Sequence, residues 1–376
     1  MSQFKIEMVD LFSQYTKLKP RINSAIQDVI DTSSFIKGKQ VSQFENNLAQ
    51  FTGSKHVISC ANGTDALQIA LMALDLELGD EVIVPGFTYA ATAEVIALLR
   101  LIPVMIDVDT ETFNISIPEL EAAITSRTKA IVPVHLFGQC SDMEPILYIA
   151  NKYNLWVIED NAQSFGAEYT FSNGETKQTG TIGHIGCTSF FPTKNLGCFG
   201  DGGALFTNDN VLADKIRMIA NHGQKIKYHH SIIGCNSRLD TIQAAILDVK
   251  LSSITEHLDA RKKAASFYDQ ALMEWPHGIR PGRTENANHT FNQYTLKIKN
   301  ERRDELKSFL SDKGIPSMIY YPIPLYKQDA FKKYVPEGFE LTNTENLCRS
   351  VLSIPIHTEM TEDILSRITD ALKSFK

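Results

Sequence analysis

Short apolar segments alternate with helical stretches through the first two-thirds of the chain, and this alternation constrains the fold most. Seven apolar segments bounded by Gly, Pro, Asn or Asp predict strands at Val57–Ser59, Glu81–Pro85, Val104–Val108, Ala130–Val134, Trp156–Glu159, Thr188–Phe191 and Ala204–Thr207. Periodic patterns predict helices at Thr64–Leu74, Met143–Tyr153 and Val211–Ala220. Such alternation is typical of a largely parallel sheet that helices cover on both faces.

The pattern changes after Leu239. A periodic run that continues to about Leu272 predicts a helical connection to a second domain. The elements predicted beyond it are a strand at Gln293–Ile298 and helices at Arg302–Lys313 and Thr361–Ser374. Because 376 residues are many for one core, we expect a large domain over residues 1–250, the N-terminal segment included, and a smaller C-terminal domain over 251–376.

Composition and charge exclude several classes of protein. No apolar run approaches the roughly 20 residues that span a bilayer, and Met1–Glu7 lacks the apolar core of a signal peptide. The net charge of −7 argues against a general nucleic-acid binder. The six cysteines show neither close pairs nor metal-ligand spacing, so no disulfide framework and no zinc site are predicted. We expect a cytoplasmic protein without metal, membrane or nucleic-acid partners.

Lys194 lies between the predicted strand Thr188–Phe191 and the glycine-rich run Gly197–Gly203. A lysine that forms a Schiff base must be desolvated enough to lose its proton, and glycines let a bulky cofactor approach the backbone. Most lysines are solvated surface groups, so this signal is weak alone. The glycine-rich run precedes a strand instead of joining a strand to a helix, which argues against a dinucleotide-binding dehydrogenase.

Asp160 follows the apolar segment Leu155–Glu159 and so lies at the carboxyl end of a buried strand, where open α/β sheets bind ligands. A carboxylate there can keep the pyridine nitrogen of pyridoxal phosphate (PLP) protonated. Capping of the following turn is the equally favoured alternative for this residue alone.

The stretch Val57–Leu67 predicts a strand, a turn and a helix start. Asn62 or Thr64 would cap this helix and leave the amides of Thr64 and Asp65 free, and free amides at a helix start bind phosphate. An ordinary Asn-Gly turn with a cap is the alternative.

Positive groups gather beside an aromatic residue at Gln224–His230, with Arg238 nearby. Such a cluster suits a nucleotide diphosphate, although a solvated loop explains its composition equally well. The adjacent His229 and His230 have no carboxylate or cysteine at ligand spacing, so we predict no metal there.

Together these segments resemble the DegT/DnrJ/EryC1/StrS family of PLP-dependent sugar-nucleotide aminotransferases, from about Val9 to the C-terminus. The resemblance implies a fold type I aminotransferase, whose large PLP-binding domain has a mostly parallel seven-stranded sheet flanked by helices and whose smaller C-terminal domain is α+β. It also implies a homodimer with shared active sites. By motif it assigns Lys194 to the covalent bond with the cofactor, Asp160 to the pyridine nitrogen, Gln163 to the phenolic oxygen, Gly63, Thr64 and Ser189 to the phosphate, Tyr89 to stacking on the ring, and Asn236 to the phosphate in the other subunit.

The resemblance further implies transamination with glutamate as amino donor and pyridoxamine phosphate as the intermediate cofactor form. Lys194 would act first as leaving group and then as base, with Asp160 as the second catalytic residue. Related dehydratases carry histidine where this chain has Lys194, which favours transamination. A non-catalytic regulatory protein that binds PLP or a sugar nucleotide is the alternative from another class.

The substrate is predicted from two stretches, His222–His230 and Asn236–Ala245. They are most similar to enzymes that aminate C3 of UDP-2-acetamido-2-deoxy-3-oxo-glucuronate for O-antigen in lipopolysaccharide biosynthesis. A dTDP-3-oxo-6-deoxyhexose 3-aminotransferase is the runner-up, with overlapping motifs. The predicted substrate-binding residues are Tyr228, His229, Arg238, Tyr320 and Tyr321, with Arg238 on the uronate carboxylate. Tyr326 departs from the family, in which histidine is common at this position.

Overall fold

The computed structural model describes residues 5–376; Met1 to Phe4, part of the segment considered for a signal peptide, lie outside the described residues. In chain order the strands are β1 (His56–Cys60), β2 (Glu81–Pro85), β3 (Ile102–Ile106), β4 (Thr128–Ile131), β5 (Trp156–Asp160), β6 (Glu168–Thr170), β7 (Thr176–Gln178), β8 (Ile185–Ser189), β9 (Gly203–Thr207), β10 (Gln224–Ile226), β11 (His229–His230), β12 (Gly278–Ile279), β13 (Tyr294–Ile298) and β14 (Val351–Ile354). The helices are α1 (Leu11–Asp31), α2 (Lys39–Thr52), α3 (Gly63–Ala73), α4 (Ala91–Leu98), α5 (Ile117–Ala122), α6 (Met143–Tyr153), α7 (Asn210–Ile219), α8 (Thr241–Leu251), α9 (Ile254–Ala271), α10 (Arg303–Asp312), α11 (Thr342–Ser350) and α12 (Glu362–Ser374).

The large sheet has seven strands in the order β1-β9-β8-β5-β4-β2-β3. The strands from β8 to β3 are parallel to their neighbours, whereas β9 is antiparallel to both β8 and β1. The prediction of a mostly parallel seven-stranded sheet is therefore confirmed. In this topology β5 and β8 end side by side, which brings Asp160 and Ser189 to the same edge of the sheet.

Alternating side chains of the buried strands pack against helices on opposite faces of the sheet. In β5, Ile158 belongs to the cluster that contains Leu67 of α3, whereas Val157 belongs to the cluster that contains Ile146 of α6. Both strand residues are fully buried. Burial of an aliphatic side chain contributes about 1.5–3 kcal/mol, so these two faces are a main source of the fold's stability.

The C-terminal part of the chain has its own sheet and core. Strands β12, β13 and β14 form an antiparallel sheet. Tyr268 of α9, Leu306 of α10 and Ile368 of α12 pack in one buried cluster with this sheet. This α+β organisation agrees with the expected smaller domain, and the boundary at residue 250 stays a prediction.

The helical run from Leu239 to Leu272 differs from the single connection that its periodicity predicts. It forms two helices, α8 and α9, which are separated at Ser252 and Ser253. Ser252 Oγ donates a hydrogen bond to the Val249 carbonyl, and such side-chain bonds compete with helix continuation. None of the described helices is long and apolar enough to cross a membrane.

Candidate active site

Asp160 lies buried at the end of β5, and two donors fix its carboxylate. Thr92 Oγ1 donates to Oδ2 at 2.8 Å, and the Ala162 amide donates to Oδ1 at 3.2 Å. Burial raises the pKa of Asp160, while these hydrogen bonds and the charge of Lys194 oppose that rise. The carboxylate is therefore held in one orientation in a place that favours a cationic partner.

Lys194 lies in a turn that follows β8. Its backbone amide donates to the Phe191 carbonyl at 2.8 Å. Burial lowers the pKa of Lys194 to about 8, and the nearby Asp160 carboxylate limits the fall. More of the Lys194 amine is then neutral at physiological pH than in an exposed lysine, as a nucleophilic lysine requires.

The turn before α3 forms a cradle for an anion. Asn62 is the cap of α3, because its Oδ1 accepts from the Asp65 amide at 2.8 Å. This corrects the expectation for Asp65, whose amide donates to Asn62; within the described part of the chain, the amides of Gly63 and Thr64 have no acceptor. A Cβ on Gly63 would lie 2.7 Å from Cβ of Ser189, so only glycine lets this turn pack against the end of β8. The first residue of α3 thus lies against Ser189, and the amides of Gly63 and Thr64 together with the Ser189 hydroxyl are a donor set suited to phosphate.

Two tyrosines line the space near Asp160. The Tyr89 side chain is 59% exposed, and its ring centroid lies 6.2 Å from that of Tyr321. Tyr321 also packs edge-on against the buried Phe87 at 6.0 Å. Tyr89 therefore presents an exposed aromatic ring beside Tyr321, which suits stacking on a flat ring.

Gln163 is buried and held at both ends of its carboxamide. Its Oε1 accepts from the Phe137 amide at 2.9 Å, and its Nε2 donates to the Tyr321 hydroxyl at 2.9 Å. Gln163 and Tyr321 therefore lie together near Asp160. Burial raises the pKa of the Tyr321 phenol, and the charge of Asp160 raises it further by a smaller amount.

Four predicted site residues lie elsewhere in the chain. Tyr228 and His229 belong to the exposed β10–β11 hairpin, where Tyr228 has a φ of 68° at the tip. Asn236 is exposed, and half-buried Arg238 lines a cavity of about 430 Å³ with Lys37 and Arg217. Within residues 5–376 no hydrogen bond, ion pair or ring contact joins these four side chains to Lys194, Asp160 or Gln163.

The segment after Met318 is only partly at the site. Tyr320 is half-buried beside Tyr321, with ring centroids 6.0 Å apart. Tyr326 is buried in the main core, its hydroxyl bonded to Glu345 and accepting from the Leu341 amide. Tyr326, the residue that departs from the family, therefore packs in the core.

Sequence reasoning missed three groups that support the site. The Thr92 hydroxyl and the Phe137 amide are brought to it by tertiary packing. Lys250 of α8 is buried and donates to the Gly197 carbonyl at 2.5 Å, just after the Lys194 turn. Burial lowers the pKa of Lys250 to about 8. A helical lysine beside apolar neighbours was the only sequence signal for it. No cluster of metal ligands occurs among the described residues.

These residues fit PLP. The cradle at Gly63 suits its phosphate, the exposed face of Tyr89 its ring, the buried Asp160 carboxylate its nitrogen, and the amine of Lys194 its aldehyde.

Comparisons with known proteins agree with this geometry. The model of the DegT/DnrJ/EryC1/StrS aminotransferase family matches residues 16–373. The chain is 48% identical over 352 residues to a UDP-2-acetamido-2-deoxy-3-oxo-D-glucuronate aminotransferase of Pseudomonas aeruginosa, covering 94% of this chain and 95% of the relative. The structure of DesV of S. venezuelae in complex with a ketimine intermediate is 34% identical, with a TM-score of 0.94 over 99% of this chain and 98% of that one. NtdA of Bacillus subtilis with the bound cofactor PMP is 31% identical, with a TM-score of 0.87 over 97% of this chain and 82% of that one.

Proposed function

The chain belongs to the DegT/DnrJ/EryC1/StrS aminotransferase family, and from this premise we propose that it transfers an amino group from glutamate to C3 of UDP-2-acetamido-2-deoxy-3-oxo-glucuronate. It is a PLP-dependent aminotransferase. The named activity of the Pseudomonas aeruginosa relative supports the uronate over the dTDP-6-deoxyhexose. The product would serve O-antigen biosynthesis in the cytoplasm.

When bound, PLP supplies an electron-withdrawing ring that stabilises the negative charge left when a proton is removed beside the transferred amine. Asp160 would keep the nitrogen of that ring protonated, because a buried carboxylate is stabilised by a cation in contact with it. Thr92 and Ala162 keep the carboxylate aimed at this nitrogen.

Lys194 performs the proton transfers. Its lowered pKa, about 8, leaves an amine that can attack a carbonyl carbon and, once released, accept a proton from the substrate amine's α-carbon. The amides of Gly63 and Thr64 and the Ser189 hydroxyl would hold the phosphate. Tyr89 covers one face of the ring.

The sugar nucleotide is bound at an interface of two chains in a homodimer. In this proposal Asn236 contacts the cofactor phosphate of the other subunit, and Tyr228, His229 and Arg238 extend toward the sugar nucleotide bound there. The exposed hairpin and the Arg238 guanidinium, which lacks a side-chain partner among the described residues, support this arrangement. Arg238 pairs with the uronate carboxylate, while Tyr320 and Tyr321 orient the sugar from the subunit that holds the cofactor.

The observation that carries the proposal is the buried Asp160 carboxylate at the end of β5, which interacts electrostatically with half-buried Lys194 in the turn after the neighbouring strand β8. The test supplies purified, PLP-loaded protein with glutamate and a panel of UDP- and dTDP-keto-sugars. We expect the UDP-3-oxo-uronate to be aminated fastest. Faster turnover of a dTDP-3-oxo-6-deoxyhexose would overturn the substrate assignment. Absence of colour after incubation with PLP, and of turnover on every sugar, would favour the non-catalytic binding protein.

A further inference from the structure

The carboxamide of Gln163 has one donor left once its contacts in the chain are made. Its oxygen accepts from the Phe137 amide, and one of its two N–H groups donates to Tyr321. The reversed carboxamide would place its NH₂ group against the Phe137 N–H, donor against donor, so the orientation is fixed. A single N–H of Gln163 therefore remains for a ligand.

Tyr321 determines where that last N–H points. Phe137 holds only the oxygen, so the plane of the carboxamide is set by the second contact, at the Tyr321 hydroxyl. The Tyr321 ring is in turn fixed between Phe87 and Tyr89, with centroids 6.0 and 6.2 Å away. The hydroxyl oxygen thus has little freedom to move away from Gln163.

Protonation of Tyr321 is also fixed. Burial raises the pKa of its phenol, and the charge of Asp160 adds to this effect. Tyr321 therefore stays a neutral phenol whose oxygen accepts from Gln163, and its own hydrogen has no partner among the described residues.

We propose that Tyr321 is a positioning residue that holds Gln163 so that its remaining N–H donates to the phenolic oxygen of bound PLP. The inference rests on the proposed function and on the place at the phenolic oxygen that the family resemblance implies for Gln163. A hydrogen bond donated to an anionic oxygen stabilises the anion, so this contact lowers the pH at which the loaded cofactor releases its proton. Tyr321 thereby tunes the cofactor by orienting Gln163.

The experiment measures the pH midpoint of the visible absorbance of PLP-loaded protein for wild type, Gln163→Ala, Tyr321→Phe and the double variant. Gln163→Ala should raise the midpoint most. Tyr321→Phe keeps the ring and its packing but deletes the acceptor, and should raise the midpoint by about half to one pH unit, the size of one hydrogen bond. The double variant should match Gln163→Ala, because both changes remove the same contact.

Tyr268→Phe is the matched control. It deletes the hydroxyl of another buried tyrosine, which donates to the Pro355 carbonyl at 2.8 Å in the C-terminal core. It should leave the midpoint unchanged. Circular dichroism and PLP binding establish that each variant is folded. Should Tyr321→Phe not fold, Tyr321→Met lacks the same hydroxyl and must shift the midpoint in the same direction.

The outcomes separate this inference from the function on which it rests. A wild-type midpoint in Tyr321→Phe, or additive shifts in the double variant, would overturn the role of Tyr321 while transamination stands. An unchanged midpoint in Gln163→Ala would also overturn it, since Gln163 would then not face the phenolic oxygen. Wild-type protein that takes up no PLP would instead refute the proposed function.

Discussion

Thr92 Oγ1 donates a 2.8 Å hydrogen bond to Asp160 Oδ2, which joins the first turn of α4 to the end of β5. Both side chains are buried. Burial raises the pKa of Asp160, and the Thr92 bond is the foremost of the contacts that oppose the rise. The hydroxyl of Thr92 in α4 therefore helps Asp160, at the end of β5, to keep its negative charge.

Thr92→Val should weaken PLP binding. Valine keeps the shape but removes the donor, so the ionised Asp160 is less stabilised, and loss of a bond to a charged group predicts an apparent Kd about tenfold or more higher. Spectroscopic titration with PLP measures the change. Thr369→Val, which deletes a buried hydroxyl in α12, serves as control. Equal affinities in Thr92→Val and wild type would show that Asp160 keeps its charge without Thr92.

Lys194→Ala should still bind PLP but lose turnover by about a thousandfold or more, because the phosphate and stacking contacts remain while the amine is gone. Turnover assays and borohydride reduction followed by mass analysis test this, since the wild type should keep the reduced cofactor and the variant should not. Lys152→Ala removes a surface lysine paired with Glu121 and should behave as wild type. Normal turnover of Lys194→Ala would mean that another lysine is catalytic.

The shared-site arrangement predicts complementation between inactive chains. Lys194→Ala and the double variant Asn236→Asp, Arg238→Ala damage different halves of a site, so a mixed dimer should contain one intact site. Mixing the two proteins should restore activity, measured after subunit exchange has been verified by differential tagging. Failure to recover activity in verified mixed dimers would refute sites built from two chains.

Arg238→Ala should discriminate between substrates. A uronate carboxylate left without its cation loses roughly 3–5 kcal/mol, which corresponds to a fall in rate of about two to four orders of magnitude when felt in the transition state. A neutral dTDP-3-oxo-6-deoxyhexose should lose far less. The comparison is of kcat/KM on both substrates. Equal losses would assign Arg238 to the diphosphate, which both substrates carry.

Stability should fall on acidification through the titration of His357. Burial, and then the charge of Arg261, lower its pKa to about 4, whereas the unfolded value is about 6.5. The unfolded chain therefore binds more protons between pH 6.5 and 4, and unfolding becomes easier as the pH falls through this window, by about 3 kcal/mol at most. Asp10, Glu359 and Glu7 act in the opposite sense.

Urea unfolding of His357→Gln from pH 7 to 4 checks this prediction. The variant lacks the titrating group, so its unfolding free energy should depend less on pH than that of the wild type. His56→Gln, which removes a half-buried histidine that pairs with Asn210, is the control. Parallel pH curves for His357→Gln and wild type would contradict the assignment.

Strand positions could be predicted from the sequence because each buried strand is an apolar run ended by turn residues. The prediction placed β2 and α6 at their observed bounds and the other predicted sheet strands within a few residues. The break between α8 and α9 was missed because Ser252 and Ser253 interrupt no hydrophobic period. The β10–β11 hairpin was missed because its polar strands show no alternation, and its turn places Tyr228, not glycine, at positive φ.

Asp160, Lys194 and the helix cap at Asn62 could be predicted because strand ends and helix starts put backbone geometry and side-chain chemistry in the same short segment. Thr92 and Phe137 could not, because their roles come from contacts between elements distant in the chain. Phe137 contributes its backbone amide, and its backbone has a positive φ of 59°. Neither property can be recognised from the residue type phenylalanine.

The close packing of Gly63 against Ser189 affects the stability of the chain before it binds its cofactor. A phosphate bound there would tie the turn before α3 to the end of β8, segments far apart in the chain, and so act as a reversible cross-link. The cofactor-free chain would open these segments more often than the loaded one. Binding of the cofactor would then protect the backbone of these two segments from proteolysis.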